Sequence, residues 1–312
     1  MLCLGEEDMF DLITAGHFAI DLIFSQKIAF PQPTLGGPTT YVSLAARKLD
    51  AKVSVISKVG GDFPNEYIEW LNASSVDLSG LKRVEAASST SFILKYKNGR
   101  RRLQLRSRAP PILQEDIPNL RARAIHVAPI ANELSSDVVD KLRTLTDILS
   151  LDPQGFVRGF NEKGNMRLTR WEGHQILGKI DIYKSSFDEI KMVTGLTDLR
   201  SAIEKIHDYG AKVVIVTKGM KGSALFFEGR FQDVPACWPR FVQDLTGAGD
   251  AFIGAFLAEY IRGKDPAWCT CVGSAAASFV IEGVGPAVFG EKKETYMRAT
   301  RIYEKGLKLS TV

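Results

Sequence analysis

The chain has 312 residues, 45% hydrophobic and 24% charged, with a formal net charge of +4. That length buries a sizeable core, and the composition is that of an ordinary globular protein, which excludes a disordered or collagen-like chain. The small positive excess argues weakly for anionic ligands and makes no case for nucleic acid as a partner.

Cys3, Cys237, Cys269 and Cys271 form no Cys-x-x-Cys pair, so neither a zinc ribbon nor a redox pair is indicated. The first residues carry Glu6, Glu7 and Asp8 and lack an apolar signal core. The longest apolar run falls short of the ~18–20 residues a membrane span needs. A reducing, cytoplasmic setting with no membrane partner is the expectation.

In chain order, β-branched runs predict strands at 11–15, 52–59, 124–128, 148–152, 180–183, 212–217 and 223–227. Helical stretches such as 135–145 and 199–209 lie between several of them. This alternation predicts βαβ crossovers and a mostly parallel sheet in one domain spanning 1–312. Two segments break it. Residues 21–35 read as short strands punctuated by Pro31 and Pro33, and 90–106 as two strands around Asn98-Gly99, a hairpin signal. Together they predict either a small projecting sheet or an ordinary surface hairpin. The chain ends in helices at 250–262, 266–281 and 292–305. The first places Phe252, Ile253, Phe256, Leu257, Tyr260 and Ile261 on one face, and the last is stopped by Gly306.

The stretch that carries chemistry is Asp244-Leu245-Thr246-Gly247-Ala248-Gly249-Asp250. Gly247 and Gly249 let the backbone come close to a ligand. Amides left unpaired at the following helix start, aided by the helix dipole, make an anion site suited to a phosphoryl group. A carboxylate beside such a site repels the anion unless it has a task. For Asp250 that task is to take a proton from an attacking hydroxyl. The blander alternative is a helix cap after a glycine turn. The chain has no Gly-x-x-x-x-Gly-Lys-Ser/Thr run, which argues against a P-loop kinase.

This segment resembles the C-terminal signature of the ribokinase-like (PfkB) carbohydrate kinases, and the likeness extends along the chain. Gly16-His17-Phe18-Ala19-Ile20-Asp21 resembles the family's first strand and its substrate-binding aspartate. Gly36-Gly37, helix 39–49, strand 52–59 and Gly60-Gly61-Asp62 resemble the N-terminal signature, and Thr217 to Gly222 the nucleotide-binding turn. The resemblance implies a three-layer α/β/α sandwich with a β-sheet lid formed by 21–35 and 90–106. It implies ATP as donor, Mg2+ as cofactor and Asp250 as base. Gly247, Ala248 and Gly249 would hold the transferred phosphoryl group. Asp21, Gly36 and Gly37 would meet the substrate, and Thr217, Gly219, Gly222 and Ser186 the nucleotide.

Three departures from the family pattern matter. Tyr41 stands where an asparagine often contacts sugar hydroxyls, which tells against ribose and fructose. Ser186-Phe187-Asp188-Glu189 replaces Asn-x-x-Glu, so Glu189 would hold magnesium through water or act as a plain helix-start acid. Leu245 replaces a small or polar residue.

The segment 152–158 resembles one in inositol kinases and their archaeal relatives, so Gln154 and Arg158 are candidates to reach hydroxyls or phosphates, the plainer alternative being a loop with a surface arginine. Arg100, Arg101 and Arg102 are either a solvated face or a second anion contact. The four histidines lack metal-ligand spacing. A sugar or cyclic polyol such as myo-inositol is therefore the expected acceptor. The alternatives are a nucleoside, or a non-catalytic sugar or nucleotide sensor on the same scaffold. A homodimer through an exposed apolar lid face, with Phe92 and Leu94 as candidates, is a further expectation.

Overall fold

The computed structural model describes residues 9–24, 31–97 and 100–309. Asn98-Gly99, Cys3 and the acidic residues Glu6, Glu7 and Asp8 lie outside these residues, as does part of segment 21–35. The strands are β1 (Phe10–Ala15), β2 (Ala19–Phe24), β3 (Pro33–Gly36), β4 (Val53–Gly60), β5 (Val76–Asp77), β6 (Leu81–Val84), β7 (Ser91–Lys97) and β8 (Arg100–Ser107). They continue as β9 (Ala122–Val127), β10 (Thr146–Leu151), β11 (Arg158–Phe160), β12 (Met166–Leu168), β13 (Ile182–Ser186), β14 (Val213–Thr217), β15 (Ser223–Phe227) and β16 (Arg230–Val234). The helices are α1 (Pro38–Arg47), α2 (Asn65–Ala73), α3 (Ser136–Arg143), α4 (His174–Leu177), α5 (Phe187–Thr194), α6 (Leu199–Asp208), α7 (Ala248–Tyr260), α8 (Pro266–Val280) and α9 (Lys292–Leu309).

Ten strands form one sheet in the order β16-β15-β14-β13-β10-β9-β1-β4-β5, with β6 beside β4. From β4 to β14 every neighbour is parallel, and the β14–β15 and β15–β16 pairs are antiparallel. Period-two alternation splits each strand between two faces. Val214 and Val216 of β14 face a core built with α3, α5 and α6, whereas Val213 and Ile215 face one built with α1, α7, α8 and α9. Helices therefore cover both faces of the mostly parallel sheet that the alternation predicts, the three-layer arrangement that the resemblance implies. The carboxyl ends of β10, β13 and β14 come together at one edge, the place where open α/β sheets bind ligands.

A second sheet stands apart, with order β3-β2-β7-β8. In it β2 pairs in parallel with β7, Asp21 opposite Phe92, while β3 and β8 are antiparallel to their neighbours. The two segments that broke the alternation are thus one sheet. Phe92 and Leu94 do not lie on an open apolar face of it. Both are buried with Ile23, Leu103 and Ile130, so the candidates for pairing with a second subunit are already covered within the chain.

Helix α7 also differs from its expected amphipathic form. Residues 251–259 are buried on every side, because Ala251, Ala255 and Ala258 let neighbouring helices approach between the large side chains. Helix α9 runs through Gly306 to Leu309; a glycine weakens a helix by about 1 kcal/mol without having to end it. Strand β13 starts two residues later than expected and extends to Ser186. No helix among the described residues is long and apolar enough to cross a membrane. Phe256 is wholly buried and stacks on Tyr260; Phe256→Ala is expected to lower stability by about 3–5 kcal/mol in urea unfolding.

Candidate active site

Helix α7 begins at a glycine because nothing else fits there. Gly247 is its N-cap with φ 78° and ψ −4°, the left-handed region, and a Cβ on it would lie 2.2 Å from Tyr41 Cδ1. The glycine offers no side-chain cap, so the first-turn amides of α7 stay free of one. They face a cavity of about 440 Å³ lined by Gly247, Gly249 and Asp250. The side chain of Asp250 is thus held in the first turn, beside the positive end of the dipole.

The cavity floor comes from strand ends. Lys184 near the end of β13 donates to Asp152 Oδ2 at 2.6 Å, and both side chains are almost wholly buried. A Cβ on Gly249 would meet Lys184 Nζ at 2.7 Å, so the ammonium sits directly under the glycine loop. Burial pulls the Lys184 pKa down, but Asp152, Asp250 and Glu189 outweigh it and leave it raised. The Asp250 pKa is also raised, chiefly by burial and in part by Asp152, against the pull of Lys184 and Gln154. Burial is thus the main cause of the shift, with the ion pair beside it acting against it.

Segment 152–158 is organised around Asp250. Asp152 Oδ1 accepts from the Gln154 amide at 3.1 Å. Gln154 Nε2 donates to Asp250 Oδ1 at 2.8 Å, and Arg158 Nη2 donates to Gln154 Oε1 at 2.6 Å. Gln154 and Arg158 line the cavity as expected. Their hydrogen bonds, however, run to Asp250 and to each other, which fixes one Asp250 oxygen.

The other sequence candidates fall around the same space. Asp21, Gly37 and Tyr41 line it, Tyr41 packed against Gly247, and so do Ser186, Glu189, Thr217 and Gly219. Gly36 lies behind Asp21, where a Cβ would stand 2.0 Å from Asp21 Oδ2. Asp21 Oδ1 and the Tyr41 hydroxyl are buried without a hydrogen-bond partner among the described residues. Burial, more than any neighbour, lifts the Asp21 pKa to about 7. Ala248 and Gly222 line an adjoining cavity of about 300 Å³, largely apolar, with Phe252, Ala277 and Ile281.

No group of three or more His, Cys, Asp or Glu converges to hold a metal among the described residues. Glu189 Oε2 already accepts from Ser186 N at 2.8 Å and Ser186 Oγ at 2.6 Å, a capping box at the start of α5. This donor set fits magnesium held mostly by water, as that ion is commonly held.

Sequence reasoning left out Lys184, Asp152 as an ion-pair partner, and the contact of Tyr96 with Asp244. Lys184 had a signal: a lysine continuing an apolar strand run toward the ligand edge of the sheet.

Residues 9–293 match the family described as pfkB family carbohydrate kinase. The chain is 30% identical to a cytidine kinase of Thermococcus kodakarensis over 283 residues, 89% of this chain and 98% of that one. It is 24% identical to an inositol 3-kinase of Arabidopsis thaliana, over 89% of this chain and 76% of that one. Among solved structures, a pyrophosphate-dependent kinase in the ribokinase family, complexed with a pyrophosphate analogue and myo-inositol, superposes with a TM-score of 0.77 at 23% identity, covering 92% of this chain and 99% of that one. The fold is ribokinase-like, a mixed sheet flanked by helices. The chain belongs to the PfkB family of carbohydrate kinases, enzymes that transfer a phosphoryl group to a hydroxyl of a sugar or nucleoside.

Asp21 offers a test that needs no substrate. Its unfolded-state value is 3.8 and its folded value about 7, so between these the folded state holds a proton that the unfolded chain releases. Stability is therefore lost as pH rises through this window. Asp21→Asn does not titrate. Its Tm relative to wild type is expected to climb between about pH 4 and about pH 7 and to level off above that. A constant difference across that range would show that Asp21 is not held protonated by burial.

Proposed function

We propose that this kinase phosphorylates a nucleoside with ATP as donor, using Asp250 as base. The observation that carries this is the mixed character of the cavity. It holds Asp250, Gln154 and Arg158, with Asp21 to take hydroxyls. Phe92, Leu94, Leu103 and Ile130 give the same cavity a large apolar surface, with Arg101 of β8 as the charged side chain beside it. A nucleoside has that combination, a ribose rich in hydroxyls and a flat base that gains from burial. The likeness to the cytidine kinase supports the same reading. A cyclic polyol is polar round its whole edge. The inositol 3-kinase likeness and the polar groups near Asp250 favour it as the second reading.

In this reading Asp250 Oδ2 takes the proton of the attacking hydroxyl, while Gln154 and Arg158 hold the carboxylate in place. The amides of Gly247, Ala248 and Gly249, with Lys184 beneath them, stabilise charge on the group in flight. ATP would supply the phosphoryl group and Mg2+ the neutralising charge, with Glu189 the residue that would hold the ion through water. Thr217, Gly219 and Ser186 border the phosphates, and Gly222 shapes the turn before the adjoining cavity. That cavity is apolar and large enough for a base, which favours a nucleotide donor over pyrophosphate. The sheet β3-β2-β7-β8 acts as a lid, contributing segments 21–35 and 90–106 to one kinase domain over the cavity and keeping water from the reaction.

Two measurements test this. In a panel of nucleosides, myo-inositol, ribose and fructose, with ATP or pyrophosphate as donor, the best nucleoside with ATP is expected to exceed myo-inositol by about 10²-fold in kcat/KM. Myo-inositol as the best acceptor would overturn the nucleoside reading and leave the kinase class standing. Asp250→Asn keeps the shape of the site and is expected to lower kcat by about 10²-fold or more with little change in ATP affinity. Near-wild-type turnover would refute the base.

A further inference from the structure

The lid touches the phosphoryl-binding loop through one side chain that the reaction scheme does not use. Tyr96, on lid strand β7, donates its hydroxyl hydrogen to Asp244 Oδ1 at 2.8 Å. The same hydroxyl lies 3.1 Å from Thr246 Oγ1. Asp244 is buried, and its Oδ1 also accepts from Thr246 N at 3.0 Å and Thr246 Oγ1 at 2.8 Å. One carboxylate oxygen thus ties the backbone and hydroxyl of Thr246 to a lid tyrosine 148 positions away in the chain. The other oxygen faces the Gly285 amide at 3.5 Å.

The position of this knot gives it meaning. Thr246 immediately precedes Gly247, whose left-handed conformation starts α7 and aims its first amides into the cavity. An aspartate accepting from the amide two residues on forms a local turn that sets the path of the chain. Hydrogen bonds to a carboxylate are among the stronger ones in proteins, and a buried acceptor that loses a donor stays uncompensated. Burial holds the Tyr96 pKa up at about 12, so its hydroxyl stays a donor throughout the neutral range.

We infer that Tyr96 is a positioning residue that latches the lid to the 244–247 turn, so that the anion-binding amides reach their working geometry only when the lid is closed over an acceptor. Lid opening withdraws one of the three donors on Asp244 Oδ1 and loosens the turn. Closure restores it. The phosphoryl-binding loop thereby senses whether the acceptor site is occupied, which holds back transfer to water while the site stands open. The inference rests on the kinase class and not on the identity of the acceptor.

The test is Tyr96→Phe, which removes the hydroxyl and keeps the ring. With ATP, Mg2+ and whichever panel acceptor turns over fastest, the variant is expected to raise the ratio of ATP hydrolysed to acceptor phosphorylated at least ~5-fold. Its kcat should fall about 10-fold, with the KM for ATP little changed. A simple loss of packing or folded fraction lowers both fluxes together and leaves that ratio alone. A ratio within about twofold of wild type overturns the latch, whatever happens to kcat or Tm. Amide exchange across residues 244–249 of the whole protein is expected to quicken in the variant. Exchange there no faster than in wild type overturns the latch, whether or not a panel compound turns over.

Discussion

One buried ammonium group makes the active site possible. Lys184 sits beneath the glycine loop and faces Asp152, Asp250 and Glu189. Asp152 and Asp250 at the end of the sheet repel each other and any phosphate brought near them, and Glu189 adds to the negative field at Lys184. The strand that carries Lys184 is fixed on both sides by parallel pairing with β10 and β14, so its charge is delivered by the most rigid part of the molecule. Asp152 holds the ammonium at 2.6 Å, and the same aspartate starts the turn that places Gln154 against Asp250. Charge balance and geometry are thus set by one connected group of side chains. Removing one member would leave a buried charge uncompensated, which is costlier than never having had the pair.

The cavity built on this floor is assembled from distant stretches of chain. Lys184, Asp250 and the glycine loop come from the large sheet and α7, whereas Asp21, Phe92, Leu94, Arg101 and Leu103 come from the smaller sheet. Substitutions on β7 and β8 can therefore reshape the cavity without touching Lys184, Asp250 or the glycine loop. Family members whose names differ in acceptor, such as the cytidine kinase and the inositol 3-kinase, sit easily with such a design.

What was legible in the sequence was what is local. The glycine-rich loop, the helix after it and the alternation of strands and helices each depend on residues a few positions apart. Asp250, Gly247 and Gly249 accordingly emerge where the motif places them, at one cavity. The small sheet was legible as a break in the pattern. Which of its faces would be covered was not. Alternation says that Phe92 and Leu94 share a face, but not that Ile130, from another part of the chain, packs on it. Helix α7 was misread for a similar reason: periodicity marks the large residues, while the alanines between them admit neighbours from every side. Gln154 and Arg158 were found by resemblance, but their engagement with Asp250, 96 positions beyond Gln154, is a tertiary fact. The Tyr96–Asp244 contact left no trace at all in local sequence.

The parallel pairing of β2 with β7 has a consequence for how the molecule is made. Between these strands the chain travels through β3, α1, β4, α2, β5 and β6 before it returns. A parallel pair with so long a connection gains nothing until that whole excursion is in place, because the entropy of closing the loop precedes the reward of pairing. The lid therefore forms late in folding, on a body whose sheet is already laid down. On the ribosome the order is sharper still. Both segments of the small sheet emerge before β9, β10, β13 and α7, so they wait unpaired until the large sheet that follows them is in place. A chain stopped short of residue 244 would lack α7 and the glycine loop that complete the cavity.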